Sequence, residues 1–204
     1  REFSHELLAV TAALPESELQ AALDDLIGSG LVFRRGTPPQ ATYSFKHALV
    51  QEAAYESLLK SRRQLLHQHI GDVLRDKFPI IAETEPEVLA HHFTEAGLSA
   101  TALDWWRKAG QQALRRSAYT EAIAHLGKAV AIADKLPVGP GRIMNRLQLQ
   151  IAYGRALRSN LGHSAPETVA AWKRARQFAA DINDPVELAP IHSGLFNASL
   201  THGE

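Results

Sequence analysis

The sequence predicts a mainly α-helical chain in two parts, a small N-terminal domain carrying a β-hairpin and a longer run of stacked helical hairpins. Three observations lead there. Through residues 1–60 the apolar spacing switches from the helical period to strict alternation and back again. From Ser61 onward only the helical period recurs. A small-x3-large-x2-Ala pattern also appears three times, at Ala102/Trp106/Ala109, Ala122/Leu126/Ala129 and Thr168/Trp172/Ala175.

In the first part, a helix from about His5 to Ala13 leads through Pro15 to a second. There Leu19, Leu23, Leu26 and Ile27 form one stripe, and Gly28 and Gly30 stop it. The period then becomes two. Leu31 and Phe33 alternate with Val32 and Arg34, a turn-rich GTPPQ follows, and Tyr43, Phe45 and His47 alternate with Thr42, Ser44 and Lys46 before a helix starts near Ala48. Helix, helix, strand, loop, strand, helix is the order of a winged-helix domain, assigned to residues 1–60.

Residues 61–204 read as helices throughout. Leu66, Ile70, Val73 and Leu74 stripe one that ends near Phe78. Thr84-Glu85-Pro86-Glu87 has capping-box spacing before Leu89, Phe93 and Ala96, and Gly97 stops that helix. A helical hairpin follows from Ser99 to Leu136. Beyond the PVGPG break, Ile143, Leu147, Ile151, Gly154 and Leu157 line another helix, and Ser164-Ala165-Pro166-Glu167 repeats the capping grammar before Val169, Trp172 and Ala175. Asp184-Pro185-Val186-Glu187 opens the last helix, whose Leu188, Ile191, Leu195 and Phe196 ask for a partner. The chain starts without Met and ends on THGE within a helical pattern, so the reading expects a segment of something longer, truncated at its C-terminal end, and a homodimer through that end.

The Ser99–Leu136 hairpin resembles a tetratricopeptide repeat. Trp106-x2-Ala109-Gly110-x2-Ala113 followed by Ala122-x3-Leu126-x2-Ala129 places small residues opposite large ones, which lets two antiparallel helices approach closely. The consensus has Leu at the position of Ala109, Tyr at Ala113 and Phe at Leu126, and its Pro appears here only as Pro137, so the repeat is degenerate. An ordinary αα-hairpin shares the same period; the threefold recurrence favours a tetratricopeptide-like solenoid over residues 61–204.

Composition narrows the function classes. Lys+Arg and Asp+Glu are both 22, which leaves no overall basic field for nucleic acid or an anionic membrane. The absence of Cys removes thiolate chemistry and suits a cytoplasmic protein. No apolar run reaches the length of a membrane span.

The stretch YSFKHALVQEAAYESLLKSRRQLLHQHIGDVL, with REFSHELLAV before it and LAHHFTEAGLSATALDWWRKAG after it, resembles the region that follows the ATPase domain in bacterial STAND-type signalling ATPases. The likeness is notably to members with an N-terminal class III adenylate cyclase domain and C-terminal tetratricopeptide repeats. It covers about two thirds of the chain. It implies a non-catalytic regulatory segment whose winged helix closes over the nucleotide-binding domain and whose repeats receive a protein partner or that same ATPase domain. It also implies a nucleotide-sensing role for His47, which stands where related ATPases carry the His of a Met-His-Asp motif. Here the motif reads Phe45-Lys46-His47-Ala48, so the Asp is missing. Packing between strand and helix is the alternative role for His47. No GxxxxGK[ST] loop occurs to bind the phosphates of a nucleotide.

A winged helix invites a DNA-binding regulator as the runner-up function. The helix PESELQAALDDLIG speaks against it, because Glu16, Glu18, Asp24 and Asp25 would repel phosphates and no Lys or Arg offsets them. His67-x-His69 and His91-His92 have the wrong spacing to converge on a metal from one helix, and no catalytic motif is found, so no cofactor, metal or enzyme activity is expected of this segment. Trp105 and Trp106 point about 100° apart on a helix. Trp106 is assigned to the core, and Trp105 either packs on the helix around Phe93 or meets a partner.

Overall fold

The computed structural model describes residues 2–137, 142–180 and 185–202, of which Pro185, Glu187, Thr201 and His202 are described as backbone only. Among these residues the architecture is mainly helical, with eleven helices and one small three-stranded antiparallel sheet. The chain divides into two compact units. One comprises residues up to 83 together with 95–97, and the other residues 84–94 and those from 98 onward.

The first unit starts with β1 (Glu2–Ser4) and α1 (His5–Ala12), then α2 (Glu16–Gly28), β2 (Val32–Arg35), β3 (Thr42–Phe45), α3 (Ala48–Glu56) and α4 (Lys60–Lys77). Ser4 caps α1 by accepting the Leu7 N–H at 3.2 Å, which satisfies one of the donors that a helix start leaves open. The sheet order is β1-β3-β2, with Tyr43 of the central strand facing Phe3 on one side and Arg34 on the other. The wing was expected to have two strands, and β1 corrects this. Its three residues are too few to show a period, and Phe3 fixes it by stacking on Tyr43 with ring centroids 5.6 Å apart.

Beneath the sheet, Leu19 and Leu23 of α2 pack with Val32, Ala41 and Tyr43. In β2 the buried residue is Val32, whereas Phe33 is 56% exposed on the other face. Leu31, Val32 and Phe33 are all apolar, so alternation alone does not decide which face turns inward. α3 contributes no buried residue, and its Leu49 is 76% exposed. A short helix that the sequence reading lacks, α5 (Pro79–Thr84), follows α4.

The second unit contains α6 (Pro86–Glu95), α7 (Ser99–Arg115), α8 (Tyr119–Lys135), α9 (Arg142–Leu161), α10 (Pro166–Phe178) and α11 (Pro185–His202). From α7 onward each helix packs on the next in sequence. Close approach depends on glycines set against large side chains. A Cβ at Gly110 of α7 would run into Leu126 of α8, which is fully buried. Trp172 of α10 has no solvent exposure and fills the space left by two glycines, Gly154 of α9 and Gly194 of α11. Trp106 is also buried, its indole N–H donating to Thr94 Oγ1 at 2.9 Å. Replacing a buried aromatic such as Trp172 by Ala costs about 3–5 kcal/mol, a large share of a domain's net stability.

The capping box expected at Ser164 is not formed. Pro166 takes the first helical position, so Ala165 becomes the cap residue and has no side-chain oxygen to offer. The break after Pro137 and Asp184 at the next expected start lie outside the described residues.

Candidate functional site

Helices α7, α9 and α11 alternate with α8 and α10 along the second unit, and each turns one stripe toward a shared groove of about 490 Å³. On α7 the stripe includes Leu114 and Arg115; on α9 it is Ile151, Ala152 and Arg155; on α11 Pro190 supplies the wall. Residues three and four apart lie on one helix face, so a helix contributes two or three side chains to the groove without distortion. Ile151 is buried at its floor, and both arginines are exposed at its rim. No described carboxylate lines it. Gln111 and Gln148 add amide groups beside the arginines.

A second cleft of about 210 Å³ lies among α7, α8 and α9, with Arg107, Arg142 and Arg146 around it. Their guanidinium groups are engaged. Arg146 donates to the carbonyls of Ala133 and Leu136, Arg142 to that of Pro137, and Arg107 pairs with Asp104 at 3.2 Å. Arg146 thereby supports the C-terminal end of α8, where the carbonyls lack helical partners and a cation is favoured.

His47 stands at the N-terminus of α3 and is exposed. Its carbonyl accepts the N–H of Val50 at 3.1 Å, but its ring makes no capping hydrogen bond. Trp105 is half-buried, with Lys108 Nζ 4.7 Å from the centre of its ring. The four apolar residues assigned to a partner at the chain's end divide into two groups. Ile191 is fully buried, and Leu188 and Leu195 are partly buried against the same cluster around Trp172. Phe196 is 62% exposed, as is Leu200 at 60% one turn further on. Trp172 explains the division, because it occupies the face of α11 that carries Ile191 and Gly194.

Several titratable groups are paired locally. His5 is buried between the Tyr43 hydroxyl at 3.2 Å and Glu16 Oε1 at 2.9 Å, so the carboxylate at the start of α2 serves the fold of the first unit. Burial raises the Tyr43 hydroxyl above the usual value of 10. Asp24 of α2 accepts from Arg34 at 3.5 Å. His67 meets the Tyr55 hydroxyl at 3.0 Å. His125 stacks on Trp106 at 5.4 Å, and burial lowers its pKa from 6.5. Sequence reasoning missed both His125, which belongs to no motif, and the groove arginines, whose meaning comes from helices that are not consecutive in sequence. Among the described residues no set of three or more His, Asp or Glu side chains converges as metal ligands, and no helix is long and apolar enough to cross a membrane.

The class so defined is a helical protein with a small sheet and a groove built from alternate helices. Over 157 residues, 76% of its length, the chain is 29% identical to a protein of Rhizobium meliloti (strain 1021) titled "Uncharacterized protein R02095", and the match spans 15% of that protein. No protein-family profile matches the chain. No solved structure matches it either.

Proposed function

We propose that this chain is a non-catalytic regulatory and protein-interaction segment of a larger bacterial signalling ATPase, of the kind linked to an adenylate cyclase, acting in the cytoplasm. In this reading the first unit is a winged helix and the helices of the second form a tetratricopeptide-like array. The observation that carries it is the groove, in which alternate helices each turn a continuous stripe to one side while the intervening helices pack behind them. The pairing of Gly110 with Leu126 supports the repeat reading, since a small residue opposite a large one is what lets paired helices approach. The exposed apolar side chain of Leu49 on α3, whose residues are all outside the core, leaves a surface to which an ATPase domain can dock. His47, exposed at the start of that helix, would then sense nucleotide only with the ATPase domain in place.

Two measurements test this. Calorimetric titration of the 204-residue chain with MgATP should give no binding heat, because one His without a phosphate loop and Mg²⁺ ligands cannot hold a triphosphate. In the full-length parent, Ala152→Glu should change the rate of ATP hydrolysis although it lies in the groove. Micromolar ATP binding by the isolated chain, or a parent whose hydrolysis is indifferent to Ala152→Glu, would sink the proposal.

A further inference from the structure

Arg115 and Arg155 are exposed on adjacent walls of the groove, with no ion pair to either among the described residues. Several other arginines have partners. Arg107 meets Asp104, Arg34 meets Asp24, and Arg116, next to Arg115 but turned away from the groove, meets Glu121 at 3.3 Å. Two guanidinium groups with no ion pair among the described residues therefore flank a floor of Leu114, Ile151, Ala152 and Pro190, and no described carboxylate lines the groove. A guanidinium presents a planar fork of donors that fits a carboxylate bidentately. Apolar floor between two such forks calls for apolar side chains between two acids.

We propose that the groove holds an extended acidic segment of a partner protein, Arg115 and Arg155 each gripping one carboxylate while an intervening apolar side chain lies on the floor. This rests on reading the second unit as a protein-interaction array, and adds the chemistry of its partner. A nucleic-acid strand fits less well. It asks for a track of cations along its phosphates, and this groove offers two on a chain whose formal net charge is zero. Arg115 also lies in the last turn of α7, where any cation suits the helix's negative end. Lys would serve that role as well as Arg; it would not reproduce the fork.

The test uses fluorescence anisotropy on the whole chain with a short labelled peptide alternating glutamate and leucine, its glutamine counterpart, and labelled oligothymidylate. The glutamate peptide should bind saturably and the glutamine peptide about tenfold more weakly, as charge-assisted bonds exceed neutral ones. Arg115→Gln and Arg155→Gln should each weaken the glutamate peptide by about tenfold, and Arg155→Lys should recover part of that loss. Both side chains are exposed, and unchanged circular dichroism verifies the variants' fold. Absence of binding, equal binding of the two peptides, indifference to the substitutions, or preference for the oligonucleotide would overturn the proposal. A benzophenone side chain placed at Gln111 in the full-length protein separates the two levels. Cross-linking to protein that persists in the double arginine variant rejects the acidic chemistry and leaves the interaction reading standing. No cross-linking at all rejects both.

Discussion

His125 shows how a single side chain in this molecule ties stability to pH. Its ring is stacked on Trp106, and its Nδ1 is buried with no hydrogen-bond partner among the described residues. Burial is the first cause of its lowered pKa, with nearby Lys128 acting in the same direction and Glu87 opposing. Folding thus favours the neutral ring. The unfolded chain binds the proton more readily, so stability present above the ordinary value of 6.5 declines as the pH falls from there toward the folded value. Urea unfolding above and below that value should show the decline in the parent and a smaller one in His125→Gln. Equal slopes would remove His125 from the explanation. Gly194 offers a steric counterpart. A Cβ there would stand 2.6 Å from the Trp172 ring, so Gly194→Ala should cost about 1–3 kcal/mol by overpacking. Gly28→Ala, with nothing near its Cβ, should be neutral or gain up to about 1 kcal/mol through helix propensity.

Between elements, the α7–α8 interface can be tested as a unit. Leu126→Ala should cost about 2–5 kcal/mol as a fully buried leucine, and Gly110→Ala alone should cost about 1–3 kcal/mol by collision. In combination the new methyl group enters the space the leucine leaves, so the double variant should be more stable than the sum of the two losses implies. Simple additivity in a denaturation cycle would show that the two residues do not share that space. This interface was legible in the sequence because large and small residues at helical spacing act locally, and so were α8 and the core role of Trp106. The sheet was legible only in part. β1 owes its existence to Phe3 meeting Tyr43, 40 positions away in sequence, which no local period records. α10 taught a different lesson, since a proline two positions past Ser164 moves the cap and cancels a motif that the letters still spell.

At the scale of the whole molecule, the groove was illegible for a plain reason. It needs α7, α9 and α11 side by side, and the sequence separates them by two other helices. The reading of the last helix also changes in detail. Leu195 was expected to be open to a partner, yet it packs partly against the Trp172 cluster, so Leu195→Glu would loosen the unit itself. Self-association, where it occurs, should run through Phe196 and Leu200, an i, i+4 pair on the exposed side of α11. Light scattering at rising concentration should show association in the parent and its loss in Phe196→Glu; a parent that stays monomeric would discard the idea.

The three tryptophans have a practical consequence for anyone watching this protein in solution. Trp172 is fully enclosed with its indole N–H unpaired among the described residues, Trp106 is buried with its N–H on Thr94, and Trp105 is half in solvent beneath Lys108. Each should emit from a different environment, the enclosed ring furthest to the blue and Trp105 most open to a dissolved quencher such as iodide. Trp106 is the informative one, because the imidazole stacked on it quenches an indole far better once protonated. Acid should therefore dim this ring before the helices come apart, making the chain its own optical readout of the proton that His125 resists.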